Sequence, residues 1–452
     1  LYGVVSRYCE GHGLPPALEQ FLFRRAPGPL TQSELQQQPD QSASEWAVAL
    51  ATQLNGDTLC VQGPPGTGKT YTGARMILAL IQAGKRVAVT SNTHKAILNL
   101  CAATLDAARE AQAEVRCFKA GGNPKDRFYD QYPEATNGKA NTVAHQLEAG
   151  FNLVGATAWT LARPELIEAF DVLFIDEAGQ FSLANLTGIS RCAENMVLLG
   201  DQQQLSQPIQ GSHPGETGLS ALEYLLRGHT IVPSHLGVFL DRTWRMHPNL
   251  CAFVSEAFYE ARLTHEDLTR NREVLPSPDK GRVRVGAGIQ LVEVSHEGNT
   301  VVCPQEVAIV QELVEELLGL EHTDEHGQSL GTLSLSDILV VAPYNLQVRS
   351  LISALPSGAR VGTVDKFQGQ EAAVVIVSMT ASDPSESSRG IEFLFEPNRI
   401  NVALSRAQSL ALVVASPKLG LPATRSVSKL NLSNLFCRLA LECQNPPEAS
   451  PS

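Results

Sequence analysis

Gly63-Pro-Pro-Gly-Thr-Gly-Lys-Thr70 fills every fixed position of a phosphate-binding loop. The apolar run Thr58-Leu-Cys-Val-Gln62 precedes it and the helical pattern Met76-Ile-Leu-Ala-Leu-Ile81 follows. Strand, loop and helix in that order are the context the motif needs. Gly63, Gly66 and Gly68 let backbone N–H groups close around phosphate oxygens, with Pro64, Pro65 and Thr67 completing the loop. The helix N-terminus adds its positive end. Lys69 is expected to reach the β- and γ-phosphates, and Thr70 to offer its hydroxyl to Mg²⁺. The expected ligands are therefore ATP and Mg²⁺.

Outward from the loop, short apolar runs alternate with helical stretches. The runs are Leu59–Gln62, Arg86–Thr90, Leu153–Ala156, Val172–Ile175 and Met196–Leu199. This alternation predicts an α/β fold, a mostly parallel sheet flanked by helices. Residues 46–232 are read as this first lobe, with a polar surface excursion at 121–141. A second set of runs predicts a second α/β lobe over 233–435: Val238–Leu240, Gln290–Val294, Ile338–Ala342, Arg360–Thr363, Val374–Met379 and Ser409–Ala415. Pro233 and Ser234 are the expected hinge, and Glu321–Gly331 an expected loop. Residues 1–45 read as a lead-in, the remnant of an upstream region. Residues 436–452 read as a disordered tail.

Two further strand ends carry chemistry. Val172-Leu-Phe-Ile175 stops at Asp176-Glu177, and two carboxylates there form the second half of a nucleotide-hydrolysing site. Asp176 would hold Mg²⁺ and Glu177 would orient or deprotonate the attacking water. Val197-Leu-Leu-Gly-Asp201 runs into Gln202-Gln-Gln-Leu205, at the sheet edge where ligands bind in open α/β sheets. Gln204 is the candidate to sense the γ-phosphate.

Composition narrows the class. At 452 residues there is room for about two or three domains. A hydrophobic share of 43% argues against global disorder. The net charge of −12 excludes a protein that is basic all over, but nucleic-acid binding needs only a local basic groove. Nine cysteines without a CxxC pair suggest reduced thiols in a cytoplasmic protein, not a disulfide frame or zinc module. Neither a transmembrane stretch nor a signal peptide is visible. The chain opens Leu1-Tyr-Gly-Val-Val without an initiator Met, so it is expected to be a piece of a longer protein.

Seven motifs then fall in one order: GPPGTGKT, DEAGQ (Asp176–Gln180), GDQQQL (Gly200–Leu205), TWRMHP (Thr243–Pro248), VAPYNLQ (Val341–Gln347), TVDKFQGQE (Thr363–Glu371) and NVALSRA (Asn401–Ala407). This array resembles a superfamily 1 helicase of the Upf-like branch, over roughly residues 58–415. The phrases TYTGARMILAL, LANL and QPIQGSHPGETGLSALEYLL resemble the helicase half of bacterial proteins in which a RecB-like nuclease comes first.

The resemblance implies two RecA-like lobes and further roles. Trp244, where the family usually has Tyr, would stack on the nucleotide base. Arg245 and Arg406 match two arginines that reach the γ-phosphate, and a guanidinium fork suits charge that builds on a transferred phosphoryl group. Glu371 matches a residue near the ribose. Ser91, Asn92, Thr93, Thr157 and Thr363 match positions that contact the nucleic-acid strand. The family's upstream Gln has no clear match. Gln41 is the nearest, which puts adenine specificity in question, and the family's Gln before the aromatic is Thr243 here.

The expected function is an ATP-dependent helicase or translocase on single-stranded nucleic acid, DNA before RNA and 5′ to 3′ by resemblance. The partner is the strand, with an N-terminal RecB-like nuclease outside the chain. The alternatives are an ATP-dependent clamp or switch that does not unwind, and, more weakly, a P-loop kinase.

Overall fold

The computed structural model describes residues 1–31, 37–207, 211–277, 281–384, 389–421 and 426–444. The chain divides into two compact units. The first comprises Leu1–Pro64, Gly68–Gln202 and Ser206–Asp241; the second comprises Arg242–Ser452 with the short segments Pro65–Thr67 and Gln203–Leu205.

The first unit is built on eight strands: β1 (Thr58–Gln62), β2 (Val87–Thr90), β3 (Cys117–Ala120), β4 (Ala135–Gly138), β5 (Leu153–Gly155), β6 (Phe170–Ile175), β7 (Ala193–Gly200) and β8 (Gly237–Phe239). Their order is β4-β3-β5-β2-β6-β7-β1-β8, and every pairing is parallel. All carboxyl ends therefore lie along one edge, and each motif that follows a strand is delivered there. β1 and β2 are buried along their whole length because helices cover both faces. The helix Lys69–Gln82 buries Ala74, Met76, Ile77 and Leu80, and the helix His94–Glu110 buries Ile97, Leu100 and Leu105, in one core with Leu59, Val89 and Phe174.

Several boundaries differ from the sequence expectation. The run Val238–Leu240, placed in the second lobe, supplies β8, which pairs with β1. The division accordingly falls after Asp241, beyond the expected hinge at Pro233. The lead-in is also part of this unit. Ala17, Leu18 and Phe21 of the helix Pro16–Leu22 are buried, and Thr58 Oγ1 donates to the Ala17 carbonyl at 2.8 Å. The excursion at 121–141 contains β4, a polar edge strand. Its Ala-Thr-Asn-Gly has no apolar run to announce it, and its pairing with β3 is a tertiary choice.

The second unit holds a parallel five-stranded sheet. A parallel pair, β9 (Arg242–Thr243) and β10 (Thr264–His265), comes before it in the chain. The sheet strands are β11 (Gly288–Glu293), β14 (Ile338–Val341), β15 (Arg360–Gly362), β16 (Ala372–Ser378) and β17 (Ala407–Ala415), in the order β11-β17-β16-β14-β15. The expected loop Glu321–Gly331 carries an antiparallel hairpin, β12 (Glu321–Thr323) and β13 (Ser329–Thr332); β13 is wholly exposed, so no buried face marks it. The core gathers Val292, Val340, Ile376 and Leu412 beneath Val310, Leu313 and Leu317 of the helix Pro304–Leu317. The start of the expected tail is also ordered: the helix Val427–Gln444 buries Phe436 and Leu439. Residues 445–452 lie outside the described residues.

Candidate active site

In the first unit the phosphate loop leaves β1 with Gly63 N–H bonded to the Gly200 carbonyl at 2.9 Å, which ties it to the end of β7. Gly66 and Gly68 adopt φ of 77° and 76°, left-handed backbone that glycine enters without a Cβ penalty. Gly68 caps the helix Lys69–Gln82 and, lacking a side chain, leaves the capping of its first N–H groups to other partners. The N–H groups there are positioned for an anion. Thr72 Oγ1 bonds Ser44 Oγ at 2.9 Å, so the helix Ala43–Ala51 braces the helix behind the loop.

Asp176 extends the β6 ladder, its N–H donating to the Thr90 carbonyl at 2.9 Å. Burial, with Glu177 beside it, raises the Asp176 carboxyl to about 7, while the Lys69 ammonium pulls the other way. A desolvated carboxylate in the field of a lysine ammonium is a donor suited to a hard divalent cation, so Asp176 fits Mg²⁺. Glu177 has φ of 54°, and its N–H donates to Asp176 Oδ1 at 2.9 Å. Left-handed backbone at a glutamate is stored strain, of the kind found where a side chain must be aimed. The turn is held on both sides. Ala178 N–H donates to the Leu199 carbonyl, and a Cβ on Gly179 would lie 2.8 Å from the Asp201 carbonyl oxygen.

The other candidates in this unit fall into three situations. Thr93 caps the helix His94–Glu110, its Oγ1 accepting from Ala96 N–H at 3.1 Å, and the Asn92 amide donates to the Gln180 carbonyl at 2.6 Å. Both side chains are occupied with local structure. Ser91 is buried, and among the described residues its hydroxyl and that of Thr90 have no hydrogen-bond partner. Thr157, after β5, meets Thr160 Oγ1 at 3.4 Å. Gln41 precedes the capping Ser42, and its amide oxygen accepts from Gln38 N–H at 3.2 Å. Asp201, at the end of β7 before Gln204, is buried and accepts from Gln62 Nε2 at 3.2 Å.

In the second unit, the structure brings Arg245, Glu371 and Arg406 together. Arg245 Nε donates to Glu371 Oε2 at 2.6 Å and its Nη1 to the Ser405 carbonyl at 3.0 Å. Arg406 is buried, with Nη1 donating to the Gln370 carbonyl at 3.3 Å. Burial pushes the Glu371 carboxyl up, but Arg245 and the Gln408 amide outweigh it and hold it below the usual value. Trp244 is exposed, so its ring face is available for stacking. Thr363 is half-buried at the end of β15.

Two features escaped the sequence reading. Arg272 Nη1 donates to the carbonyls of Trp244 and Arg245 at 3.0 and 2.7 Å and so fixes that turn. Arg272, one of two arginines in the polar stretch 264–273, gave no signal. His296, Cys303 and Glu306 converge in a buried cluster. His296 meets Ser382 Oγ at 2.7 Å and Glu306 Oε1 at 3.1 Å; Ser378 Oγ and Thr380 N–H donate to Glu306 Oε2. Cys303 Sγ caps the helix that carries Glu306. Hydrogen bonds account for this cluster without an ion. It also holds Gln347 of the VAPYNLQ motif, whose Nε2 donates to Ser378 Oγ at 2.9 Å.

Comparison with known proteins also divides the chain in two, at a boundary about 25 residues before Asp241. Two family models, each described as an AAA domain, match residues 41–216 and 218–418 and together span most of the chain. The DNA replication ATP-dependent helicase/nuclease JHS1 of Arabidopsis thaliana is 26% identical over 80% of this chain and 27% of its own length. The ATP-dependent helicase upf1 of Schizosaccharomyces pombe is 26% identical over 90% of this chain and 47% of its own. Together these matches support a superfamily 1 helicase of the Upf1-like kind. Another relative, the DNA replication ATP-dependent helicase/nuclease DNA2 of Xenopus laevis, is 27% identical over 86% of this chain and 38% of its own length. The chain thus spans between about a quarter and a half of the length of these relatives. Among its described residues no helix is long and apolar enough to cross a membrane.

Proposed function

We propose that the chain is an ATP-driven motor that moves along single-stranded nucleic acid and separates strands. The observation that carries this is the buried Asp176 beside a strained Glu177, at the same sheet edge as a filled phosphate loop. Lys69 and the loop N–H groups bind the triphosphate, and Thr70 and Asp176 would hold Mg²⁺. The metal, when bound, neutralises phosphate charge. Glu177 orients the attacking water and takes its proton. Arg245 and Arg406 of the second unit are the guanidinium groups assigned to the transferred phosphoryl group, on the strength of their motif positions. Gln204 is assigned to sensing it, and Glu371, held by Arg245 and Gln408, to the ribose. Hydrolysis drives movement if the two units grip the strand differently in the ATP-bound and ATP-free states.

Two relatives named as DNA replication helicase/nucleases support DNA as the strand and a nuclease as companion. A 5′ to 3′ direction follows from the motif resemblance. The test is ATP turnover with and without a homopolymer strand, beside displacement of a labelled strand from a tailed duplex. Strand-stimulated turnover with displacement from 5′-tailed duplexes is expected. Turnover indifferent to the strand at low salt overturns the motor reading, and stimulation without displacement reduces it to a clamp.

A further inference from the structure

The edge of the first sheet opposite the phosphate loop holds a cavity that the motifs do not use. It has a volume of about 470 Å³ and lies at the amino ends of β2, β6 and β7, bordered also by Val4 and Arg7 of the helix Tyr2–Cys9. That is the size of a small-molecule site. β6 is six residues long, so the cavity stands about 20 Å from Asp176 along the strand.

Three guanidinium groups line it: Arg7, Arg86 and Arg191. Among the described residues none of the three makes an ion pair or a side-chain hydrogen bond. The fold nevertheless sets two of them together. A Cβ on Gly3 would lie 3.6 Å from Arg191 Nη1. Arg7 follows Gly3 by one helical turn, on the same face and about 5–6 Å away between Cβ positions. Arg86 is fixed through its backbone: its N–H donates to Asp171 Oδ2 at 2.7 Å, and its carbonyl accepts from Asp171 N–H at 2.9 Å. Like charges gathered without a counter-charge repel one another, and the planar fork of arginine suits a phosphate.

The carboxylates of the cavity are of two kinds. Asp171 is engaged by Lys85 Nζ at 3.4 Å as well as by the Arg86 N–H. Glu168 and Glu194 border the cavity with no ion pair among the described residues. Glu168 has φ of 57°, and its N–H donates to the Arg191 carbonyl at 2.8 Å. Left-handed backbone at a glutamate beside a cavity arginine is strain of the kind that ligand clamps hold. An ionised carboxylate only accepts, so these two are complementary to hydroxyl or amino groups. Leu14, Pro15 and the buried Phe170 add apolar wall.

We infer that this cavity binds a small phosphate ester bearing hydroxyl or amino donors, with its phosphate on Arg7 and Arg191 and its donors on Glu168 and Glu194. Arg86 supplies further positive charge. A sugar phosphate and a nucleotide present the same groups. None of these residues belongs to the ATP-hydrolysing machinery, so the inference goes beyond the motor function and does not depend on it.

The probes are ribose 5-phosphate, adenosine monophosphate, inorganic phosphate and ribose, each titrated into the protein by isothermal calorimetry. At least one ester should bind with a Kd under about 1 mM, and ribose should not bind. Arg7→Gln and Arg191→Gln should each weaken ester binding about tenfold or more, the scale of a hydrogen bond to a charged group. Both variants should keep wild-type ATP turnover, which shows that they fold. Lys69→Ala should leave ester binding unchanged. Ribose 5-phosphate binding as tightly as adenosine monophosphate makes the sugar phosphate the recognised part; tighter binding of adenosine monophosphate makes the ligand a nucleotide. If the wild type binds neither ester, the inference is wrong. Binding that survives both arginine substitutions, or that disappears in Lys69→Ala, places the ester elsewhere and also overturns it. Inorganic phosphate binding as tightly as the esters overturns the part given to Glu168 and Glu194.

Discussion

Glu177 offers the sharpest separation of backbone strain from chemistry. Its φ of 54° is left-handed, and it adjoins a buried Asp176 that it pushes toward neutrality. Replacing it with Ala removes the carboxylate but keeps a Cβ in left-handed backbone. Replacing it with Gly removes both. The left-handed conformation costs a residue with a Cβ about 1–2 kcal/mol. Glycine returns roughly 0.5–1 kcal/mol through its freer unfolded state. Glu177→Gly should therefore be more stable than Glu177→Ala by about 0.5–1 kcal/mol. For a unit of this size that is a rise of roughly 1–4 °C in melting temperature. The relief of repulsion on Asp176 is common to both variants and cancels in the comparison. Tryptophan emission reads the correct unit: Trp46 is 9% exposed in the first unit, whereas Trp159 and Trp244 are 86% and 56% exposed. The expected result is a later red shift for the Gly protein, with ATP turnover lost in both. Equal or earlier melting of the Gly variant refutes the strain argument. Turnover near the wild-type rate in either variant refutes the role given to the carboxylate.

Lys69→Ala should abolish ATP hydrolysis in a phosphate-release assay, because no other side chain supplies the ammonium at the loop. Arg406→Ala should leave ATP binding within about tenfold but cut turnover by roughly 10³, the scale of arginine fingers. Arg245→Ala should match it, and the double variant should be little worse if the two act as a unit; normal turnover in Arg406→Ala would sink the shared-site reading. His247 caps the helix Pro248–Phe258, and burial lowers its ring to about 4. The unfolded chain takes up a proton near pH 6.5 and the folded chain does not, so stability is lost as pH falls from about 6.5 towards 4. The loss attributable to His247 is roughly 1.4 kcal/mol by pH 5.5, and His247→Asn, whose amide oxygen can replace the capping Nδ1, should remove that part of the decline in urea titrations at pH 8 and 5.5.

Local patterns carried the strands with continuous apolar runs. β1, β2, β6 and β7 are legible because a strand buried on both faces must be apolar throughout, and the phosphate loop is legible because backbone geometry demands glycine at Gly66 and Gly68. Asp176 and Glu177 were readable as a strand end, and the second-unit arginines only through their motif resemblance. What the tertiary structure decided lies where partners come from distant sequence. β4 and β8 join the first sheet through pairing with β3 and β1, which no local pattern encodes. Asn92 and Thr93 carry the right chemistry but are occupied by Gln180 and Ala96, whereas the surroundings of Lys119, a charge in a buried strand set against His94 with no carboxylate pairing among the described residues, follow from packing alone. A sequence states which groups are present; their desolvation, pairing and strain depend on what the fold places around them, as at Asp176, Thr93 and Glu177 along this sheet edge.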